Sequence, residues 1–179
     1  MSGNDLKLLR YTMNRRPNAD AHIRELRKKY GARAWILRHL HQVGIPSNRL
    51  VQIYCSLVRP VLEYPAVAFH PGLTGESSDK LERLQSASLR TIFGHEMSYA
   101  ACLEKSSLTT LKDRREALLS SFAKKAAASE RFSTAWFPTN PPPTYPLRRH
   151  RKFKQEHATR DRLIQSPIFR MRQILNEDT

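Results

Sequence analysis

The stretch that decides the fold is YCSLVRPVLEYPAVAFHP, which covers Tyr54 to Pro71. Its apolar residues recur on most turns of a helix, but it also contains three prolines, at positions 60, 65 and 71. A proline inside a helix costs about 3 kcal/mol, because it lacks the backbone N–H and its ring clashes with the preceding turn. Since the apolar stripe continues past Pro60, we expect a helix that runs through Pro60 and is bent there.

The segments on either side of this stretch have the spacing of helices. Between Asp20 and Val43, apolar residues recur at steps of three and four, which indicates one buried stripe. Gly31 inside this helix costs about 1 kcal/mol relative to alanine, so we expect close packing at that position. Asp79 to Phe93 has the clearest amphipathic pattern, and Gly94 is a good stop signal. The residues predicted to face inward there are Leu81, Leu84, Ser88 and Ile92.

Shorter elements are predicted elsewhere. Residues 6–13 have the pattern of a short strand, and residues 98–104 that of a short helix. A longer helix is predicted over 110–130, where Thr110 and Asp113 form a capping pair. The residues predicted to face inward in that helix are Leu111, Leu118 and Phe122.

The composition changes towards the C-terminus. The segment FSTAWFPTNPPPTYP holds five prolines, which is typical of an extended linker. The following tail is basic, and Ser166 before Pro167 has the pattern of a helix start. Aromatic and basic residues alternate in RRHRKFK, which suits stacking on the bases of single strands. Anchoring of the tail on the core through Phe153 and Tyr145 explains the same pattern.

The sequence therefore predicts a mainly α fold, a small helical bundle with a short N-terminal strand. We expect four segments along the chain. A strand and turn occupy 1–17, a helical domain 18–132 and a Pro-rich linker 133–147. A basic, partly helical tail with a terminal helix occupies 148–179.

The charge of the chain is strongly positive. Its 31 Lys and Arg residues against 16 Asp and Glu give a net charge of +15 and a pI near 10.4. Such an excess most often marks a nucleic-acid partner, although a solvated basic surface or an absent acidic partner domain explains it too. The excess is +7 over residues 1–44, +3 over 45–144 and +5 over 145–179. The two ends are therefore the strongest candidates for phosphate contact.

Several classes of function are not expected. No apolar run is long enough for a membrane span, and the N-terminus lacks the pattern of a secretory signal. The two cysteines, Cys55 and Cys102, form no CxxC motif, so reduced thiols in an intracellular, nuclear or cytoplasmic protein are expected. Phosphate-binding loops, metal-site motifs and grouped carboxylates are missing from the sequence. We therefore predict no catalytic residue, no metal, no cofactor and no small-molecule substrate.

Three ordered segments resemble a known family. They are LVRPVLEYPAVAFHP, LERLQSASLRTIFG and SYAACLEKSSLTTLKDRREALLSSFAKKA. Together they are similar to the region downstream of the polymerase palm in non-LTR (LINE-type, jockey-like) retrotransposon reverse transcriptases. AWFP and RDRLIQSPIFRMRQILN resemble the C-terminal end of the same region. The resemblance extends from about Leu6 to Asn176.

The resemblance implies a polymerase thumb, which packs beside the template–primer duplex and follows its backbone. The catalytic aspartates of this family of RNA-directed DNA polymerases lie upstream, in a palm that this sequence lacks. The chain is thus expected to be a fragment of a reverse transcriptase that does not polymerise on its own. It would bind an RNA–DNA or DNA duplex through Lys and Arg, without reading bases.

Ten basic residues are the candidates for this contact. They are Lys28, Lys29, Arg33, Lys80, Arg83, Arg90, Arg148, Arg149, Arg151 and Lys152. Two alternatives belong to other classes, a helical protein-interaction module and a relic of a retroelement without present function. In those cases the basic faces contact another protein or nothing.

Overall fold

The computed structural model describes residues 6–8, 11–13, 20–64, 66–141, 151–155, 157 and 161–177. The regular structure in these ranges is mainly helical, so the predicted mainly α class is confirmed. Two strands, β1 (Leu6–Leu8) and β2 (Tyr11–Met13), pair in antiparallel fashion. They lie in the segment where the sequence predicts one short strand.

Ten α-helices are found in the described residues. In chain order they are α1 (Asp20–Gln42), α2 (Ser47–Ile53), α3 (Arg59–Glu63), α4 (Ala66–Phe69), α5 (Gly75–Phe93), α6 (Tyr99–Ser106), α7 (Leu111–Ala128), α8 (Glu130–Trp136), α9 (Asp161–Ile164) and α10 (Pro167–Glu177). The chain divides into two compact units, the first made of residues 1–66 and 73–115 and the second of residues 67–72 and 116–179.

The helix continues through Pro60, as the sequence predicts. Between α2 and α3 lies one π-helical turn, Tyr54–Val58, in which the N–H of Arg59 bonds to the carbonyl of Tyr54, five residues earlier. Pro60, which has no backbone N–H to donate, follows this wide turn as the second residue of α3. The wide turn thus allows one helical segment to contain a proline. This helical segment ends at Tyr64, whose backbone is extended.

The core of the first unit is formed mainly by α1, α2, the π-helical turn, α5 and α6. Its fully or nearly buried members are Leu37, Leu50, Tyr54, Val58, Leu89, Ile92 and Cys102. Both cysteines carry free thiols, and Cys55 is only half-buried. Of the residues expected to face inward in α5, Leu81, Ser88 and Ile92 are buried and Leu84 is half-buried. The expectation of close packing at Gly31 is wrong, because a Cβ there would meet no atom within 4 Å.

The second unit has its own apolar core. It is formed by Leu119, Ala123, Ala126, Phe137, Phe153, Met171, Ile174 and Leu175. Thr139 pairs with Phe153 in an isolated β-bridge, and the rings of Phe137 and Phe153 meet edge to face at 5.9 Å. Phe153 is therefore an anchor of the tail on this core, while Tyr145 lies outside the described residues. Helix α8 includes the first residues of the predicted linker, Ser133 to Trp136.

Two helix starts have the predicted caps. The Oγ1 of Thr110 accepts from the N–H of Asp113 at 3.1 Å and donates to its Oδ2 at 2.6 Å. The Oγ of Ser166 accepts from the N–H of Phe169 at 3.3 Å. Along α7, however, the predicted inward position of Phe122 is wrong, because this side chain is 37% exposed. Within the described ranges, no helix has both the length and the apolar character needed to cross a bilayer.

Candidate nucleic-acid interface

Several polar residues of the segments LVRPVLEYPAVAFHP, LERLQSASLRTIFG and SYAACLEKSSLTTLKDRREALLSSFAKKA bind each other. Arg59 forms an ion pair with Glu63, one helical turn later in α3. The same carboxylate lies 3.3 Å from Nε of Arg114, near the start of α7. One half-buried carboxylate thus joins two arginines from motifs that are far apart in sequence. These three residues hold helices together, and we do not count them among the groups that contact a ligand.

Glu82 in α5 has a similar structural role. Its carboxylate accepts hydrogen bonds from the backbone N–H groups of Leu111 and Lys112, at 3.2 and 2.6 Å. A negative charge at this position stabilises the start of α7, because helix N-termini carry unpaired N–H groups. The hydroxyl of Tyr99 also donates to Glu82, at 2.7 Å. Burial, followed by this contact, raises the pKa of Tyr99 above its usual value of 10.

Arg115 shows why an arginine in a motif is not by itself a phosphate contact. Its side chain is 0% exposed. Its Nη2 donates to the hydroxyl of Ser78 at 2.7 Å and lies 4.0 Å from the carboxylate of Glu82. Burial lowers the pKa of the guanidinium, and the nearby carboxylates of Glu82 and Glu63 oppose this shift. Arg115 therefore belongs to the interior of the first unit.

An open groove of about 600 Å³ runs between α1 and α5. Four basic residues line it, and they come from both helices and from the turn after α5. They are Arg38, Arg83, Arg90 and His95. A smaller hollow shares three of these residues and extends the groove to His41. The positive side chains of the two helices therefore face one shared space, which we call the α1–α5 groove.

The charged residues that line the α1–α5 groove are all basic. Tyr30, Gly31 and Ala34 of α1 and Ser86, Ala87 and Thr91 of α5 complete the lining of the main part, so no carboxylate lines it. Within the described part of the chain, no acidic side chain lies at ion-pair distance from Arg38, Arg83 or Arg90. Low-dielectric walls that carry one sign of charge focus the field and attract counter-ions.

The groove is open because the residues on its walls are small. Gly31 and Ala34 face it from α1, and Ser86 and Ala87 face it from α5. Tyr30 also lines it and joins the two helices, because its hydroxyl donates to the carbonyl of Leu84 at 2.9 Å and lies 3.0 Å from Oγ of Ser88. The absence of a side chain at Gly31 thus leaves room for a ligand.

The predicted basic residues do not form one site. Arg83 and Arg90 line the α1–α5 groove. Lys80 lies in the same helix but pairs with Glu76 at 2.8 Å. Lys28 is exposed on α1. In the second unit, Arg151 and Lys152 are exposed, and the ammonium group of Lys152 lies 5.5 Å from the ring centre of Phe153; Arg148 and Arg149 lie outside the described residues.

Lys29 and Arg33 line a different hollow, of about 760 Å³, between α1 and the segment that contains Pro60. Lys29 pairs there with Glu25 at 3.5 Å, so this hollow has mixed charge. His22 lies in its lining and is buried. Desolvation lowers the pKa of His22 from 6.5 to about 4, against a hydrogen bond with the backbone of Tyr64 that raises it. His22 is therefore neutral at physiological pH.

Sequence reasoning missed Arg38, His41 and His95 as site residues. A signal for part of this site was present in the sequence. In α5, Arg83 and Arg90 stand seven residues apart, with the small residues Ser86 and Ala87 between them on the same face. In α1, Gly31 and Arg38 repeat the same spacing. Helix faces that combine small residues with long basic ones form an open basic groove when they meet.

The second unit contains a polar cluster around Glu116. Its carboxylate lies 2.6 Å from Nε2 of His70 and 2.8 Å from Nη2 of Arg170. Burial raises the pKa of Glu116, but the hydrogen bonds from His70 and Arg170 outweigh it and the net shift is downward. Among the residues that the structure describes, no three His, Cys, Asp or Glu side chains are grouped to hold a metal ion.

No protein-family profile, curated protein or solved structure matches this chain.

Proposed function

We propose that this chain is a thumb-like helical module of a non-LTR retrotransposon reverse transcriptase. In this proposal it holds the backbone of a template–primer duplex, RNA–DNA or DNA, in the α1–α5 groove. The observation that carries the proposal is the convergence of Arg38, Arg83 and Arg90 on an open groove without acidic residues in its lining. The order of the sequence motifs supports the origin, and the net charge of +15 supports the partner.

Contact with phosphates accounts for this arrangement. A guanidinium is always charged and presents several N–H donors in one plane, so it binds two phosphate oxygens at once. Arg83 and Arg90 stand about 10 Å apart along α5, because they are separated by seven residue steps and a helix rises about 1.5 Å for each step. Successive phosphates of one strand lie closer than this, so the two arginines would contact phosphates that are not direct neighbours.

Binding of this kind is independent of sequence. Contacts to phosphates fix the position and direction of a nucleic acid but carry no information about its bases. In this proposal the module supplies affinity and alignment to a polymerase. Phosphoryl transfer is left to a palm domain with grouped carboxylates, which the reaction requires for its two metal ions.

A salt titration tests the proposal. Labelled RNA–DNA and DNA duplexes of about 20 base pairs are titrated with the full chain at several salt concentrations, and anisotropy is measured. We expect log Kd to rise linearly with log salt, with a slope of about 0.9 for each phosphate contact. Scrambled duplexes of equal length should bind equally well. Absence of binding at low salt would contradict the proposal.

A further inference from the structure

One aromatic side chain beside the α1–α5 groove is unusually exposed. Trp35 in α1 is 62% exposed, although tryptophan is a highly buried residue on average. Its ring lies parallel to that of His39, one turn later, with a ring-centre distance of 5.5 Å and an interplanar angle of 2°. His39 is itself exposed. The pair forms an aromatic surface on the outside of the helix.

Helix geometry places this surface at the rim of the groove. Trp35 follows Gly31 by four residues and precedes Arg38 by three, and both of these residues line the groove. Residues three and four apart are neighbours on one helix face. Exposed Lys28 stands seven residues before Trp35, on the same side of α1. The exposed indole therefore shares its side of α1 with Lys28 and lies next to the turn that carries Arg38.

We propose that the α1–α5 groove binds single-stranded nucleic acid, with the phosphates on its arginines and an unpaired base stacked on Trp35. This inference rests on the proposed function, in which the groove binds the phosphates of template–primer nucleic acid, and it specifies that the part of this nucleic acid beside Trp35 is a strand with unpaired bases. Positive grooves beside exposed aromatic rings are the common solution for binding single strands, because every base has a face that stacks. In a duplex the faces of the bases are covered by their neighbours, except at the ends.

The charge at this rim argues for nucleic acid as the occupant. An apolar protein surface that docked on Trp35 would have to desolvate the adjacent guanidinium of Arg38 and the ammonium of Lys28. A strand brings phosphates to these cations and a flat ring to the indole. A single-stranded template or a frayed primer end has both features.

Two strands of equal length and charge isolate the contribution of the bases. One is a ten-residue oligothymidylate and the other has the same phosphates with abasic sugars. We expect the full chain to bind the thymidylate at least about fivefold more tightly, since stacking of one base is worth on the order of 1 kcal/mol or more. Trp35→Ala should remove this preference and leave the affinity for the abasic strand unchanged.

Fluorescence gives a second readout. The chain has two tryptophans, so Trp136→Phe leaves Trp35 as the only indole. Stacking of thymine on Trp35 should quench its emission on titration, whereas the abasic strand should leave the emission unchanged.

Val43→Ala is the matched control for Trp35→Ala, because Val43 is an apolar residue of similar exposure. This control variant should keep the preference for the thymidylate over the abasic strand.

The outcomes separate the two proposals. If the abasic strand and the thymidylate bind equally in the wild-type chain, this inference is wrong and the phosphate-binding groove remains. If neither strand nor any duplex binds, both proposals are wrong. If Trp35→Ala leaves the base preference in place, the bases are bound elsewhere and the inference is again wrong.

Discussion

The hydroxyl of Tyr54 donates a hydrogen bond of 2.8 Å to Oε1 of Gln85, and both side chains are buried. The pair joins the π-helical turn to α5. The amide nitrogen of Gln85 donates at the same time to the hydroxyl of Tyr99 at 3.0 Å and to the carbonyl of Thr109 at 2.9 Å. One buried glutamine thus joins groups from three other segments, of which the hydroxyl of Tyr54 is fully buried.

Replacement of Gln85 by leucine should therefore be costly. The variant keeps the volume but leaves the hydroxyl of Tyr54 and the carbonyl of Thr109 without their partner. A buried group that loses its hydrogen bond costs about 1–3 kcal/mol, and the hydroxyl of Tyr54 is such a group, so we expect a decrease of about 1–3 kcal/mol in the free energy of unfolding. Urea denaturation followed by circular dichroism measures it. Adding Tyr54→Phe should recover part of this stability; strictly additive effects would show that the two residues do not interact.

The burial of α5 can be tested with two leucines on one helix. Leu81 is fully buried, whereas Leu84 is half-buried, although both are expected inside from the sequence. Leu81→Ala should lower the free energy of unfolding by about 2–5 kcal/mol, because it removes apolar contacts and leaves a cavity. Leu84→Ala should cost clearly less. Equal decreases in denaturant titrations of the two variants would contradict this orientation of α5.

The stability of the first unit should depend on pH through His22. Its pKa is lowered from 6.5 to about 4 in the folded chain, so the unfolded chain binds more protons between these values. The stabilising contribution is therefore complete above about pH 6.5 and decreases as the pH falls towards 4. At about 1.4 kcal/mol per pKa unit, the decrease is on the order of 3 kcal/mol.

The variant His22→Gln provides the control, because glutamine does not titrate. The difference in unfolding free energy between wild type and variant, measured from pH 7 to pH 4, should shift in favour of the variant as the pH falls. A difference that stays constant over this range would show that His22 does not have a lowered pKa.

The sequence predicts which segments are helical better than it predicts which side faces inward. Helix α7 shows why. Its expected stripe is Leu111, Leu118 and Phe122, but the buried residues include Arg115 and Leu119, and Phe122 is exposed. A charged residue is expected on the solvent side of a helix. Because Arg115 is buried, the sequence pattern does not show that Arg115 and Leu119 lie on the inward face. The partners that make its burial possible, Ser78 and Glu82, are distant in sequence.

The candidate site was predictable only in part. Arg83 and Arg90 could be found because an amphipathic helix has one basic side, which the sequence shows directly. The contribution of Arg38 depends on how α1 and α5 pack, which periodicity within one helix does not reveal. The expectation of close packing at Gly31 is wrong for the same reason. A glycine in a helix indicates either close packing or open space, and only the neighbouring helix decides between them.

The most direct test of the proposed function compares two variants with equal net charge. The groove variant replaces Arg38, Arg83 and Arg90 by glutamine. The control variant replaces three basic residues of the same unit that do not line the groove, Arg49, Lys105 and Lys112, by glutamine. Duplex affinity is measured for both at several salt concentrations, after circular dichroism has shown that both are folded.

We expect the slope of log Kd against log salt to fall in the groove variant by about 0.9 for each phosphate that the variant no longer binds, up to about 2.7. The affinity at low salt should fall at least tenfold, since each charge-assisted hydrogen bond to a phosphate contributes on the order of 1 kcal/mol. The control variant should retain nearly the wild-type slope. Equal slopes in the two variants would show that binding follows net charge alone, and the α1–α5 groove would not be the nucleic-acid site.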